Sequence, residues 1–357
     1  MNQQQPMSDH PAIQVAEEGF AASPASRPLR VVAMGGGTGL STLLRGLRKH
    51  VATGVEPEGS PALISELAAV VSVTDDGGSS GRLRQQFDML PPGDLRNCMV
   101  ALSEEEDLLA QLFSHRFRGG ESLKGHSFGN LFVAALTEIT GDFAHAIQLA
   151  SKILATRGQI YPVTTANTTL VARMDDGSLV RGETNITASH RRIAELMLDP
   201  PNPAPLPETL AAIARADLIT VGPGSLYTSL ITNLLVHDMP AALARARGVR
   251  VFVCNLMTEA NESLGLTASD HILRIYEHAR EPLFDFALVN VAPFSPETLA
   301  RYAAEGAEPI VADLERVEAL GVRCIAGNFA SEGLVVRHAA RVTGALLALG
   351  RTTLRRG

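Results

Sequence analysis

Two rhythms of apolar residues alternate along the chain: short unbroken runs, and spacings of three and four. Unbroken runs read as strands buried on both faces, while the longer spacing reads as a helix with one face on a core. The first run, VVAM at 31–34, leads straight into Gly35-Gly36-Gly37-Thr38-Gly39, and a periodic helix is predicted from Leu40 to about Leu47. Further runs predict strands at 67–74, 216–221, 249–254, 286–290, 309–311 and 323–326. Helices are predicted at about 105–113, 129–140 and 142–154, and from Asp94 as N-cap through Met99 to Leu102. A last one is predicted to begin at Arg337 and reach about Leu349. The stretch 159–186 reads as antiparallel strands around the turn Asp175-Asp176-Gly177, and five prolines from Pro200 to Pro207 then mark a surface crossing.

The predicted fold class is therefore α/β: a Rossmann-like, mostly parallel sheet flanked by helices, with a helical and β-hairpin insertion. Residues 29–357 are expected to form a single α/β domain in which 94–207 is the helical and hairpin elaboration. The stretch 1–28, rich in Pro, Ser, Gln and Ala, reads as a disordered tail, and 50–65, rich in Gly and Pro, as a loop.

Composition narrows the class. With 357 residues, 45% of them hydrophobic and 19% charged, the chain can build a large core. A net charge of −7 argues against non-specific nucleic-acid binding, which needs a basic face. Cys98, Cys254 and Cys324 are odd in number, far apart and mostly in apolar runs, so buried thiols in a reducing compartment are expected. There is no CxxC or HExxH pattern, no signal-peptide pattern and no apolar run of membrane length. A cytoplasmic protein without a membrane span is expected.

The candidate chemistry sits where strands end. A strand, a glycine turn and a helix N-terminus make an anion site, because glycine lets a ligand approach the backbone and the first helical amides lack partners. The turn 35–39 departs from GxGxxG, since Leu40 or Thr42 occupies the last place, and no Walker lysine precedes Lys49. A phosphate cradle and a merely tight turn both remain open. After the second strand comes Asp75-Asp76-Gly77-Gly78-Ser79-Ser80-Gly81-Arg82-Leu83-Arg84. Asp75 and Asp76 suit ribose hydroxyls or a divalent cation, Arg82 and Arg84 suit a phosphate, and a hairpin turn is the bland alternative.

Asp94, Arg96 and Asn97 open the next predicted helix, and His126 stands in a further glycine-bracketed helix entrance, with a structural or a ligand-contacting role. The run Gly222-Pro223-Gly224-Ser225 repeats the strand–glycine–helix junction. There Ser225 is placed to cap the helix while its free amides face an anion. Asn255 begins a fourth polar strand end, 255–259. Four such ends, at 35–39, 75–82, 222–229 and 255–259, predict one ligand cleft along the C-terminal edge of the sheet.

With these residues assembled, the sequence resembles the YvcK-type gluconeogenesis factors, a bacterial branch of the superfamily that also contains 2-phospho-lactate transferase, the CofD branch. The resemblance covers about 30–345 and is carried by GGGTGLSTLLRGL, VTDDGGSSGRLR, PPGDLRN, HSFGNL, GDF, VGPGSLYTSL, CNLMTE, TASDH and AEPI. It implies a regulatory protein that binds UDP-N-acetylglucosamine or a similar UDP-sugar without turnover. The implied role lies in growth on gluconeogenic carbon sources, cell shape and wall homeostasis. Implied partners are the nucleotide sugar, further copies in a homo-oligomer, and proteins of envelope synthesis. The residues matching the family's pattern are Gly35, Gly36, Gly37, Thr38, Gly39, Asp75, Asp76, Ser79, Ser80, Asn97, Gly222, Gly224, Ser225 and Asn255. In the late segments RYAAEGAEPI and VVRHAAR, Tyr302 can stack on the uracil and Arg337 meet the diphosphate, or both can serve helix packing. The transferase branch implies an alternative, a group transfer from a nucleoside-diphosphate donor with Mg²⁺ at Asp75 and Asp76. An NAD-dependent oxidoreductase is a third reading, opposed by the missing third glycine.

Overall fold

In the computed structural model of the chain, the described residues are 13–14, 27–53, 62–104, 108–189, 191–260, 262–333, 335–338 and 340–354. Their strands are β1 (Ile13–Gln14), β2 (Leu29–Gly35), β3 (Ile64–Val71), β4 (Gln159–Pro162), β5 (Thr169–Met174), β6 (Leu179–Arg181) and β7 (Ile193–Asp199), then β8 (Leu218–Val221), β9 (Val249–Val253), β10 (Phe286–Asn290), β11 (Arg323–Gly327), β12 (Ala330–Ser331) and β13 (Arg337–His338). Eight of them form the main sheet in the order β1-β11-β10-β9-β8-β2-β3-β4, and every pairing in it is parallel. Apart from β1 at the far edge, strand order runs outward in both directions from the β2/β8 pair. That pair is the switch point of the sheet, where an open parallel sheet leaves a crevice beyond its strand ends.

The unbroken apolar runs are explained by burial on both faces: Val31, Val32, Ala33 and Met34 of β2 and Leu218–Val221 of β8 are all buried. Helices flank the sheet. Helix α1 (Gly37–Arg48) lays Leu40, Leu43, Leu44 and Leu47 into the core at the predicted spacing. Its Gly46 lets the last helix, Ala340–Leu354, come close, since a Cβ there would lie 2.3 Å from Thr343 Oγ1. Cys98, Cys254 and Cys324 are buried free thiols, as expected.

Several elements differ from the sequence reading. The stretch 78–87, for which no helix was expected, is helix α2 (Gly78–Phe87), which begins on a glycine at φ +47°. Helix α3 (Gly93–Leu102) has Pro92 at its N-cap, so Asp94 lies in the first turn instead of capping it. Within 159–186 only β5 and β6 form the hairpin, around Asp175-Asp176-Gly177. Gln159–Pro162 instead joins the main sheet as an edge strand beside β3, where Pro162 is tolerated. The segment 94–207 therefore contributes a strand to the sheet it was expected only to decorate. Strand β7, not foreseen, pairs with β5 through a register shift at Arg173/Met174 that breaks the simple alternation. Residues 309–311 form no strand, only a bridge between Pro309 and Met257. Arg337 lies in β13, and the last helix starts at Ala340. Of the tail expected over 1–28, Ile13–Gln14 runs parallel to β11 and Arg27 pairs with Asp217 at 2.8 Å. Apart from Pro28, the rest of that stretch, like 54–61 of the expected loop and 105–107 of the expected helix, lies outside the described residues.

Candidate functional site

At the end of β2 the chain turns into α1 with Gly36 extended and Gly37 at φ +62°, a conformation that favours glycine. The Gly37 amide donates to the carboxylate of Asp94, whose pKa burial and nearby Asp75 push up to about 6. Asp94 thus braces the turn from behind, a role that capping logic alone missed. The amides of Thr38 and Gly39, in the first turn of α1, have no acceptor among the described residues. They form an open anion seat at the positive end of the helix.

The second junction touches the first. A Cβ on Gly39 would stand 2.6 Å from the Pro223 carbonyl oxygen, and one on Gly224 would stand 3.4 Å from the Gly36 carbonyl oxygen. Gly224 is locked by Asn255, which accepts from its amide at 3.0 Å and donates to its carbonyl at 2.8 Å. The helix expected to follow starts as a π-helical turn, Leu226–Ile231, and Ser225 caps nothing. The Ser225 hydroxyl donates instead to Glu259 Oε1 at 2.9 Å. Nor do this helix's first amides face an incoming anion. Tyr227 N (3.3 Å) donates to Glu262 Oε2 and Thr228 Oγ1 (3.0 Å) to Oε1, so the protein's own carboxylate fills that seat. Burial, then the charge of Glu259, pushes Glu262 up to about 7, and burial raises Glu259 as well. The second junction therefore shapes the cleft rather than supplying a second set of free amides.

Between the two junctions lies a cleft of about 530 Å³. Of the sequence candidates it gathers Gly36, Gly37, Thr38, Gly39, Asn97, Gly224, Ser225, Asn255, Tyr302 and Arg337. Gly35 and Gly222 stand one residue behind, ending β2 and following β8. The Tyr302 hydroxyl accepts from Val336 N at 2.9 Å, which ties the ring beside Arg337. Asn97 Oδ1 accepts from Arg96 at 2.6 Å. His338 donates through Nε2 to the Cys254 carbonyl at 2.9 Å, and burial holds its pKa down to about 4, so it is neutral. Arg45 also lines the cleft, and neither it nor Arg337 has an ion pair among the described residues. Sequence reading passed over Arg45, although Thr38, Ser41 and Arg45 share one face of α1 at helical spacing.

The stretch 75–82 does not reach this cleft. Asp75 Oδ1 accepts from Gly77 N at 2.9 Å, and Asp76 Oδ1 accepts from Thr184 N (2.9 Å) and Thr184 Oγ1 (2.7 Å). Ser79 Oγ lies 3.0 Å from His126 Nδ1, with both residues buried, and Ser80 packs against Gly93. Arg82 donates to the Lys124 carbonyl at 2.9 Å and Arg84 to Asn167 Oδ1 at 3.0 Å. No group of three or more His, Cys, Asp or Glu side chains among the described residues is arranged to hold a metal ion, and Asp75 and Asp76 are engaged by their own chain. A wider groove of about 1160 Å³, between β7 and residues 277–280, gathers none of the glycine turns.

Behind the cleft the acids crowd. Burial, then Asp75 and Asp94, pushes Glu183 from an ordinary 4.5 up to about 9. The folded state therefore holds a proton that the unfolded chain releases, and stability falls as pH rises from about 4.5 towards 9. Glu183→Gln removes this loss. It is expected to be more stable than the parent by about 1–3 kcal/mol at pH 9, with little difference near pH 5. Melting temperatures of both proteins across that range check it; parallel curves would contradict the assignment.

A family model described as 2-phospho-L-lactate transferase CofD matches residues 31–330. A gluconeogenesis factor from Halalkalibacterium halodurans is 46% identical over 319 residues, covering 89% of this chain and 95% of its own. A longer relative from Nostoc sp. is 46% identical over 312 residues, 87% of this chain, which spans 66% of that relative's length. The crystal structure of a UPF0052-family protein from Bacillus halodurans superposes with a TM-score of 0.85 at 44% identity, over 90% of this chain and all of that one. A match over this much of the sequence, together with the shared fold, places the chain in the CofD/YvcK family, among relatives named gluconeogenesis factor.

Proposed function

We propose that this protein is a cytoplasmic gluconeogenesis factor that binds a UDP-sugar such as UDP-N-acetylglucosamine and acts by binding rather than by turnover. The observation that carries this reading is a pair of amides, Thr38 and Gly39, without an acceptor among the described residues, facing a cleft that also holds a tethered tyrosine and two arginines without an ion pair among those residues. The diphosphate rests on the two amides and between Arg45 and Arg337, where charge-assisted hydrogen bonds are strongest. The base stacks on Tyr302, whose ring is held by the Val336 amide. Relatives named gluconeogenesis factor support a role in growth on gluconeogenic carbon sources. The link to cell shape and wall synthesis follows from the ligand, a precursor of envelope polymers, and self-association and envelope-synthesis proteins are the partners proposed with it.

Isothermal titration of the full chain with UDP-glucose, UDP-N-acetylglucosamine, GDP and NAD tests the reading. Saturable one-site binding of the uridine sugars, with NAD silent, is expected. A protein that ignores every uridine nucleotide while binding NAD would overturn it. A second reading, group transfer from a nucleoside-diphosphate donor, is favoured by the description of the matching family model. Metal-dependent consumption of such a donor, lost in Asp75→Asn, is its signature.

A further inference from the structure

The charges lining the cleft are divided. Among the described residues that line it, Arg45 and Arg337 are the cations and Glu259 is the anion. The arginines belong to α1 and to β13, which lie side by side, and Tyr302 is tied to Val336 next to Arg337. Glu259 belongs to the other flank, where 255–259 meet the second junction through the Asn255–Gly224 and Ser225–Glu259 hydrogen bonds. Diphosphate and base both find their partners on the first flank, so the sugar is left for the second.

Glu259 is held for that task. Ser225 Oγ donates to its Oε1, its own amide donates to Ser263 Oγ at 3.0 Å, and no described residue donates to Oε2. Behind it Glu262 adds a second carboxylate whose oxygens are occupied by Tyr227 and Thr228. A sugar hydroxyl can donate to Oε2. Among the described residues that line the cleft Glu259 is the anion, so a sugar carboxylate placed against it would meet a like charge in a partly desolvated pocket.

Resting on the nucleotide-sugar reading, we propose that Glu259 is a specificity residue that admits neutral, hydroxyl-bearing sugars and rejects sugars carrying a carboxylate. The comparison that isolates it is UDP-glucose against UDP-glucuronate, which differ only in the oxidation of C6. In titrations of the full chain, UDP-glucose is expected to bind at least about tenfold more tightly than UDP-glucuronate, since facing like charges disfavour a wrong partner strongly. Glu259→Gln, which keeps the shape and can still accept from Ser225, is expected to shrink that ratio to about threefold or less. Glu259→Asp, which keeps the charge, is expected to retain the preference. Equal binding of the two sugars by the parent protein, or a ratio unchanged in Glu259→Gln, would overturn the proposal and leave the nucleotide-sugar reading standing. If the parent binds neither sugar, both fall.

Discussion

Gly39→Ala is expected to abolish nucleotide-sugar binding and to destabilise the fold by about 1–3 kcal/mol, the usual cost of forcing a methyl into a packed place. The added Cβ would sit 2.6 Å from the Pro223 carbonyl oxygen and 2.8 Å from its carbon. Both are backbone atoms, and the adjoining Gly224 is clamped by Asn255 on either side of its peptide, so the second junction cannot swing aside cheaply. The two junctions must part instead, and the free Gly39 amide moves with them. Gly344→Ala is the matched control: it lies in the last helix with nothing within 4 Å of its Cβ position. It is expected to leave binding intact and to stabilise by about 0.5–1 kcal/mol through helix propensity. Melting curves and titrations of the two variants settle the contrast. A Gly39→Ala protein that binds normally would mean the close approach has no bearing on the ligand.

Arg337→Ala and Arg45→Ala are each expected to weaken UDP-sugar binding by about ten- to a hundredfold, the range for losing a charge-assisted hydrogen bond to phosphate. Because neither arginine has an ion pair among the described residues, melting temperature should barely move. Lysine at 337 should recover only part of the loss, since a point charge replaces a planar fork. Titration reads the affinity and differential scanning calorimetry reads the stability. Unchanged affinity in both variants would remove the arginines from the site.

Much of this arrangement was legible in the sequence because it is local. A buried strand running into glycines and then into a helix is written within a dozen letters, and both such junctions, 35–39 and 222–225, lie where the strand order reverses. Asn255, Tyr302 and Arg337 also line the cleft as the sequence suggested, although Arg337 does so from a two-residue strand rather than from a helix start. What sequence alone could not give depends on distant partners. Glu262 fills the second helix terminus from 35 positions away, and Thr184 engages Asp76 from 108 positions away. The pairing of Ser79 with His126 spans 47 residues and joins two motifs that the sequence presents separately. Asp94 looked like a cap because acids favour that place, but the chain begins α3 two residues earlier and turns the carboxylate onto Gly37. These exchanges decide which polar strand ends remain open: the first junction does, while 75–82 is satisfied from within.

The central claim is that a single diphosphate rests on the first junction, framed by the second. A crystal structure of the protein with UDP-glucose tests it most directly. Diphosphate oxygens are expected within about 3.2 Å of the Thr38 and Gly39 amide nitrogens, with Arg337 closing over them. A diphosphate found instead on the Tyr227 and Thr228 amides, with Glu262 displaced, or beside Asp75 and Ser79, would contradict it.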